Sequence, residues 1–165
     1  MDGAYLWIPN AEYDRDGPTE ILAFDTQSLE LSRTFNVNDH ISLIASNGRD
    51  RLYGTNWDSV NFYVWDWDGV LIEMVANPTS VAYQDCDFSD PYLICGGTRE
   101  NSRNGTIDFI DPRSWTLAFR IEIGSTRLGN PLTREGLSFY GNKVFLLPED
   151  GPDSEIMIYQ GCGIP

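Results

Sequence analysis

A chain of 165 residues with 41% hydrophobic and 13% aromatic residues has enough apolar material for one folded domain and is not composed like a disordered segment. Its 25 acidic residues against 11 basic ones leave a net charge of -14, a surface that repels phosphate backbones and anionic lipid and so speaks against nucleic-acid and membrane partners. Short apolar runs separated by 15 glycines and 9 prolines call for many turns, and hence for an all-β chain.

Taken in chain order, the first strand expected is Ala4–Ile8. The next, Ile21–Asp25, ends in an aspartate and is followed by a polar turn and an alternating strand within Thr26–Phe35. Ile41–Ala45 and Arg51–Gly54 come before a second copy of that pattern, Phe62–Asp66 with Trp67–Val75. Val81–Phe88 and Pro91–Cys95 come before a third, Ile107–Asp111 with Pro112–Ile121. Gly136–Tyr140 and Lys143–Leu147 then lead into a fourth start, Ile156–Gln160. The aspartate suits the turn because its carboxylate accepts hydrogen bonds from backbone N–H groups two residues on.

Asp25, Asp66, Asp111 and Gln160 are spaced 41, 45 and 49 residues apart. Four-stranded propeller blades repeat at about 40–50 residues. With strands named A to D outward, the order reads BCD, ABCD, ABCD, ABC, which makes a partial β-propeller of about three and a half blades. The approximate blades are 1–38, 39–77, 78–124 and 125–165, and no segment has the period of a long helix. Propellers close with about four to eight blades, which hides their strand edges. The chain is therefore expected to be a piece of a six- or seven-bladed ring, a half-ring completed as a homo-oligomer, or a small four-bladed ring.

The third repeat, Thr106–Gly124, resembles the blade signature of YVTN-type and lactonase-like propellers. Glu135–Phe145 is similar to an opening seen in strictosidine-synthase-like and esterase-like phytase propellers. Both resemblances lie in strand pattern and imply fold before activity. Val64-Trp65-Asp66 resembles a WD dipeptide, but the other repeats lack the tryptophan and the chain lacks that family's Gly-His element, so WD40 membership is not expected.

In a propeller the innermost strands line the channel. Counting four residues back from Ile44, Phe88 and Phe139 gives His40, Gln84 and Glu135, polar positions that would bring a base, an amide and a carboxylate into one concave site. Asp85 and Arg134 flank that ring, so His40, Gln84, Asp85, Arg134 and Glu135 are the expected ligand-binding residues, with His40 and Glu135 the candidates for catalysis. Asp39 and Asp87 lie nearby in sequence. Glu135 and Asp85 are the expected ligands for a Ca²⁺ or Mg²⁺ ion, whose oxygen preference this composition matches, although no cofactor is required by the pattern. A single histidine without a Cys/His pair at zinc spacing speaks against structural zinc, and no G-x-S-x-G elbow displays a serine nucleophile.

A second expected surface is the set of loops between strands B and C: Pro9–Gly17, Asn56–Ser59, Thr98–Gly105 and Pro148–Ser154. Their carboxylates, amides and Trp57 could grip a sugar or a cation. Cys86 and Cys95 flank Asp90-Pro91 symmetrically, so a hairpin centred there would oppose them and allow a disulfide, two buried thiols being the alternative. Cys162 is left over, and Asn104-Gly105-Thr106 is a glycosylation sequon.

No apolar stretch approaches the ~20 residues that span a bilayer. Met1-Asp2-Gly3 has neither the basic region nor the apolar core of a signal peptide, which leaves a secreted and a cytoplasmic setting both open. Two functions follow. One is a binding module that takes a small molecule or a protein at a polar channel site. The other is a metal-dependent hydrolase, lactonase- or phosphoesterase-like, with Glu135 on the metal and His40 as base.

Overall fold

The computed structural model describes residues 4–161. They form fourteen strands and one short 3-10 turn, Gly151–Asp153. The chain divides into two compact units, one ending at Asn77 and the other starting at Pro78.

In the first unit, β1 (Tyr5–Ala11), β2 (Thr19–Asp25) and β3 (Leu31–Val37) make one antiparallel sheet in the order β1-β2-β3. β4 (Ile41–Ser46), β5 (Leu52–Asn56), β6 (Asn61–Trp65) and β7 (Leu71–Ala76) make the next, again in chain order. The expected Asp-terminated turns form as the residue type requires. Asp25 Oδ1 accepts the N–H groups of Gln27 and Ser28, which hold the carboxyl below its ordinary pKa. Asp66 Oδ1 accepts those of Asp68 and Val70. Gly69 completes the second of these turns at φ +82°, where a Cβ would lie 2.4 Å from Phe35 Cγ, so only glycine fits.

Burial in this unit follows strand position. Ile21 and Ala23 on β2 and Ile41, Leu43 and Ala45 on β4 are buried at every second residue, as expected of a sheet covered on one face. In β5 and β6, Leu52–Thr55 and Phe62–Trp65 are buried throughout. The core is aromatic: Trp7, Tyr63 and Trp65 are buried with Ile21, Ala23, Ile41 and Leu52, and Tyr5, Phe35 and Trp67 pack on them. Burying a side chain of this size removes enough apolar surface to contribute about 1.5–3 kcal/mol.

In the second unit the four-stranded sheet runs β11-β10-β9-β8, built from β8 (Val81–Ser89), β9 (Tyr92–Arg99), β10 (Gly105–Asp111) and β11 (Thr116–Gly124). A three-stranded sheet follows, in the order β12 (Gly136–Tyr140), β13 (Lys143–Leu147) and β14 (Met157–Gln160). The third aspartate turn repeats the pattern, with Asp111 Oδ1 accepting Arg113 N–H. Cys86 and Cys95 are register partners across β8 and β9 and are joined by a disulfide. Gly97 lets these strands approach closely, because a Cβ there would lie 2.2 Å from the Ala82 carbonyl oxygen. Ile94, Ile107, Phe109, Leu132, Leu137, Val144 and Leu146 form the core, with the rings of Phe109 and Phe119 stacked 3.9 Å apart. Cys162 lies outside the described residues.

Candidate functional site

Two loops of the first unit meet at its surface. The β1–β2 loop turns sharply at Glu12–Gly17, where Gly17 N–H donates to the Asp14 carbonyl. The β5–β6 turn is organised by Asn56, whose Oδ1 accepts the N–H groups of Val60 and Asn61 and lets Ser59 take a positive φ. Arg15 from the first loop forms an ion pair with Asp58 from the second.

His40 is the base on which both loops rest. It is 5% exposed and immediately precedes β4. Its Nδ1 lies 2.5 Å from the Asp14 carbonyl oxygen, a contact that only Nδ1–H can make favourably. Its own carbonyl accepts Trp57 N–H at 2.9 Å. The imidazole packs edge-to-face on the Trp57 indole with centroids 4.7 Å apart, and Tyr13 packs in the same manner on that indole at 5.2 Å. Tyr13 is 93% exposed. The result is a row of three rings running from a buried imidazole to a tyrosine standing in solvent.

Below this row, Asp39 joins the two sheets of the unit. Its Oδ1 accepts His40 N–H, and its Oδ2 accepts the Tyr63 hydroxyl at 2.5 Å. Burial, then the hydrogen bond and charge of Asp39, push the Tyr63 hydroxyl up to about 12. Thr19 donates its hydroxyl to the Asp39 carbonyl and accepts Ile41 N–H.

The other expected site residues belong to the second unit. Glu135 immediately precedes β12, as His40 precedes β4. Gln84 is exposed and sits within β8, at a register shift between Tyr83 and Asp85, and the residue immediately preceding β8 is Ser80. Asp85 accepts Cys86 N–H on Oδ1 and Leu137 N–H on Oδ2, so both oxygens hold backbone. Desolvation outweighs these bonds and raises its carboxyl to about 6. Asp87 repeats the arrangement, accepting Phe88 N–H on one oxygen and Phe139 N–H and the Ser138 hydroxyl on the other. Arg134 is ion-paired with Glu149. Burial and then the Glu149 charge raise the Glu135 carboxyl, against the pull of Arg134. Among the described residues, no three His, Cys, Asp or Glu side chains are grouped as they would be around a metal ion.

The second unit also contains a polar centre that the repeat pattern does not announce. Asp108 is fully buried on β10 and receives Arg120 Nε and Nη2 at 2.6 and 2.7 Å, one on each carboxylate oxygen. The Tyr83 hydroxyl donates to the same carboxylate at 2.6 Å, and burial together with Asp108 raises its pKa. Asp108 and Arg120 face each other in the β10–β11 register, a cross-strand pairing invisible until the strands are aligned. An open polar depression of ≈ 490 Å³ in this unit is lined by Ser80, Arg99, Glu100, Asn101 and Ser102. The Pro148–Ser154 loop is tied elsewhere, with Asp150 accepting from Thr126 and Asn130.

Solved structures similar to this chain are β-propeller-like. The glutaminyl cyclase of Myxococcus xanthus is 15% identical over 84% of this chain and 57% of its own, with a TM-score of 0.60. The WD40 domain of Toxoplasma gondii coronin is 14% identical over 98% of this chain and 44% of its own, with a TM-score of 0.55. BamB of Moraxella catarrhalis is 14% identical over 98% of this chain and 47% of its own, with a TM-score of 0.50. This chain thus spans about half the length of these structures. At such identities the likeness establishes the fold alone: an all-β, partial β-propeller of antiparallel three- and four-stranded blades. Curated proteins offer no match in sequence. One family profile matches residues 1–113, well over half of the chain, and the chain therefore belongs to the family of unknown function DUF6454.

Proposed function

We propose that this chain is a ligand- or protein-binding module whose contact surface is the loop face of the first unit, Pro9–Gly17 with Asn56–Ser59. The observation that carries this reading is the exposed Tyr13 ring, 93% accessible, mounted edge-on against Trp57. Tyrosine and tryptophan supply large contact area at low entropic cost because few torsions must be frozen. Trp57 is itself held by the His40 carbonyl and ring, so the platform is organised before a ligand arrives. Rigid scaffolds that present loops are a common way to build binding sites.

The test is to map amide shifts by NMR while a panel of peptides and oligosaccharides is added. Shifts should concentrate on residues 12–16 and 57–59, and Tyr13→Ala should weaken binding by about 5–30-fold, the loss of 1–2 kcal/mol expected for one exposed aromatic contact. Binding that maps to Glu135, or that ignores the loss of Tyr13, would remove this reading.

The alternative is a metal-dependent hydrolase with Glu135 and Asp85 on the metal. It draws support from the resemblance to lactonase-like and strictosidine-synthase-like propellers and from the raised carboxyls of Asp85 and Glu135. Ca²⁺ or Mg²⁺ should then raise the thermal midpoint by mass action, and Glu135→Ala should abolish that rise.

A further inference from the structure

The proposed loop face has a chemistry that selects among ligands. Four carboxylates, Glu12, Asp14, Asp16 and Asp58, accompany one guanidinium, Arg15, which leaves three net negative charges on a few residues. Arg15 is already paired with Asp58. Tyr13 lies between Glu12 and Asp14 in the chain and is 93% exposed, with its ring centroid 5.2 Å from that of Trp57, the neighbour of Asp58. An electron-rich ring face with carboxylates beside it attracts a planar or tetrahedral organic cation, at about 0.5–1 kcal/mol for an exposed ring and about 2 when water is excluded. The same unit shows the arrangement filled by its own side chain. The Arg33 guanidinium lies 5.5 Å from the Tyr5 ring centroid and is bonded to Asp68 at 2.7 Å.

We infer that Tyr13, Trp57 and the carboxylates beside them receive a guanidinium or alkylammonium group displayed on a basic peptide. This rests on the loop face being the binding surface and adds the class of ligand. The net charge of -14 would draw such a peptide in and make its association fall with ionic strength. A carboxylate or phosphate ligand would meet repulsion at the same place. Asp58 adds a specific consequence: a ligand guanidinium must share it with Arg15, so removing Arg15 should favour the ligand.

Three probes test this by amide-shift titration: capped Arg-Gly-Arg, the same peptide with citrulline for arginine, and a neutral trisaccharide. Citrulline keeps the shape of arginine and loses the charge. The arginine peptide should shift residues 13–16 and 57–58 saturably and bind at least tenfold more tightly than its citrulline counterpart. Its affinity should drop severalfold in 0.5 M salt, about fivefold or more in Tyr13→Ala, and rise in Arg15→Ala. Tyr13 and Arg15 are surface residues, and unchanged spectra elsewhere will show that the fold is kept. Equal binding of the citrulline peptide overturns the inference. So does arginine binding that Tyr13→Ala leaves unchanged, which would be unspecific attraction to an acidic protein. If the trisaccharide shifts these amides and the arginine peptide does not, the loop face stands and the cationic ligand falls. If no probe shifts them, both fall.

Discussion

In the first unit, β4 begins its sheet by donating Ile41 N–H to the hydroxyl of Thr19 on β2. In the second, β12 begins its sheet by donating Leu137 and Phe139 N–H to the carboxylates of Asp85 and Asp87 on β8. The interiors differ in the same sense. Rings of Trp7, Phe35, Tyr63 and Trp65 fill the first unit, with Tyr63 and Trp65 stacked 5.4 Å apart. The second has a smaller aromatic group and a triad in which Asp108 and Tyr83 are buried and Arg120 is half-buried. The first unit joins its two sheets through the Thr19 hydroxyl, Asp39 and aromatic rings, and the second through the paired carboxylates of Asp85 and Asp87. Apolar burial is non-directional and indifferent to pH, whereas buried charge is stabilising only while every partner is present. The second unit should therefore be the more sensitive to the removal of a single buried polar group.

The largest expected effect comes from Asp108→Ala. It strands the Arg120 guanidinium, leaves the Tyr83 hydroxyl with Thr79 in place of the carboxylate, and should cost about 3–5 kcal/mol. Urea unfolding and hydrogen exchange of β8, β10 and β11 amides would show it, and protection like that of the parent chain would end the claim that the triad matters. Next is reduction of Cys86–Cys95. For a sequence separation of 9 residues, opening the loop should cost about 3 kcal/mol on the chain-entropy account. The readout is the thermal midpoint with and without reductant, set against a Cys86→Ala/Cys95→Ala chain that should not respond.

Thr19→Val probes the first unit by keeping shape and deleting the hydroxyl. Ile41 N–H and the Asp39 carbonyl lose their partner, which should cost about 2 kcal/mol. A loss below experimental error would mean that the aromatic core alone joins these sheets. The smallest effect is that of pH on Asp85. Its carboxyl is raised from 3.8 to about 6 in the fold, so the native state binds the proton more tightly than the unfolded chain. The second unit should then gain roughly 1 kcal/mol as pH falls from 7 to 5, and lose it as pH rises back through 6. Asp85→Asn should flatten that slope, and an unchanged slope would assign the proton to another group.

Much of the architecture could be read along the chain. The Asp-ended strands at Asp25, Asp66 and Asp111 mark real turns because the interaction that makes them spans only two or three residues. The opposition of Cys86 and Cys95 followed from counting outward from one hairpin centre. The loops carrying Trp57 and Pro9–Gly17 were also visible as a candidate surface, since their position between strands B and C recurs. Counting did not show where each strand begins: β8 starts at Val81, so Gln84 lies within it, while His40 and Glu135 stand immediately before β4 and β12, because strand ends are set by pairing partners and not by composition.

Local chemistry alone thus determined the strand order, the turns, the disulfide register and the acidic character of the surface, because each depends on neighbours in sequence or on a simple sum. Only tertiary structure decided that His40 holds the Asp14 carbonyl, that Tyr13 meets Trp57, that Asp85 and Asp87 hold β12, and that Asp108 receives Arg120 and Tyr83. Those contacts join residues from 12 to 52 positions apart. They depend on how the strands and loops are placed in space, which no pattern of residue types encodes until the sheets have packed.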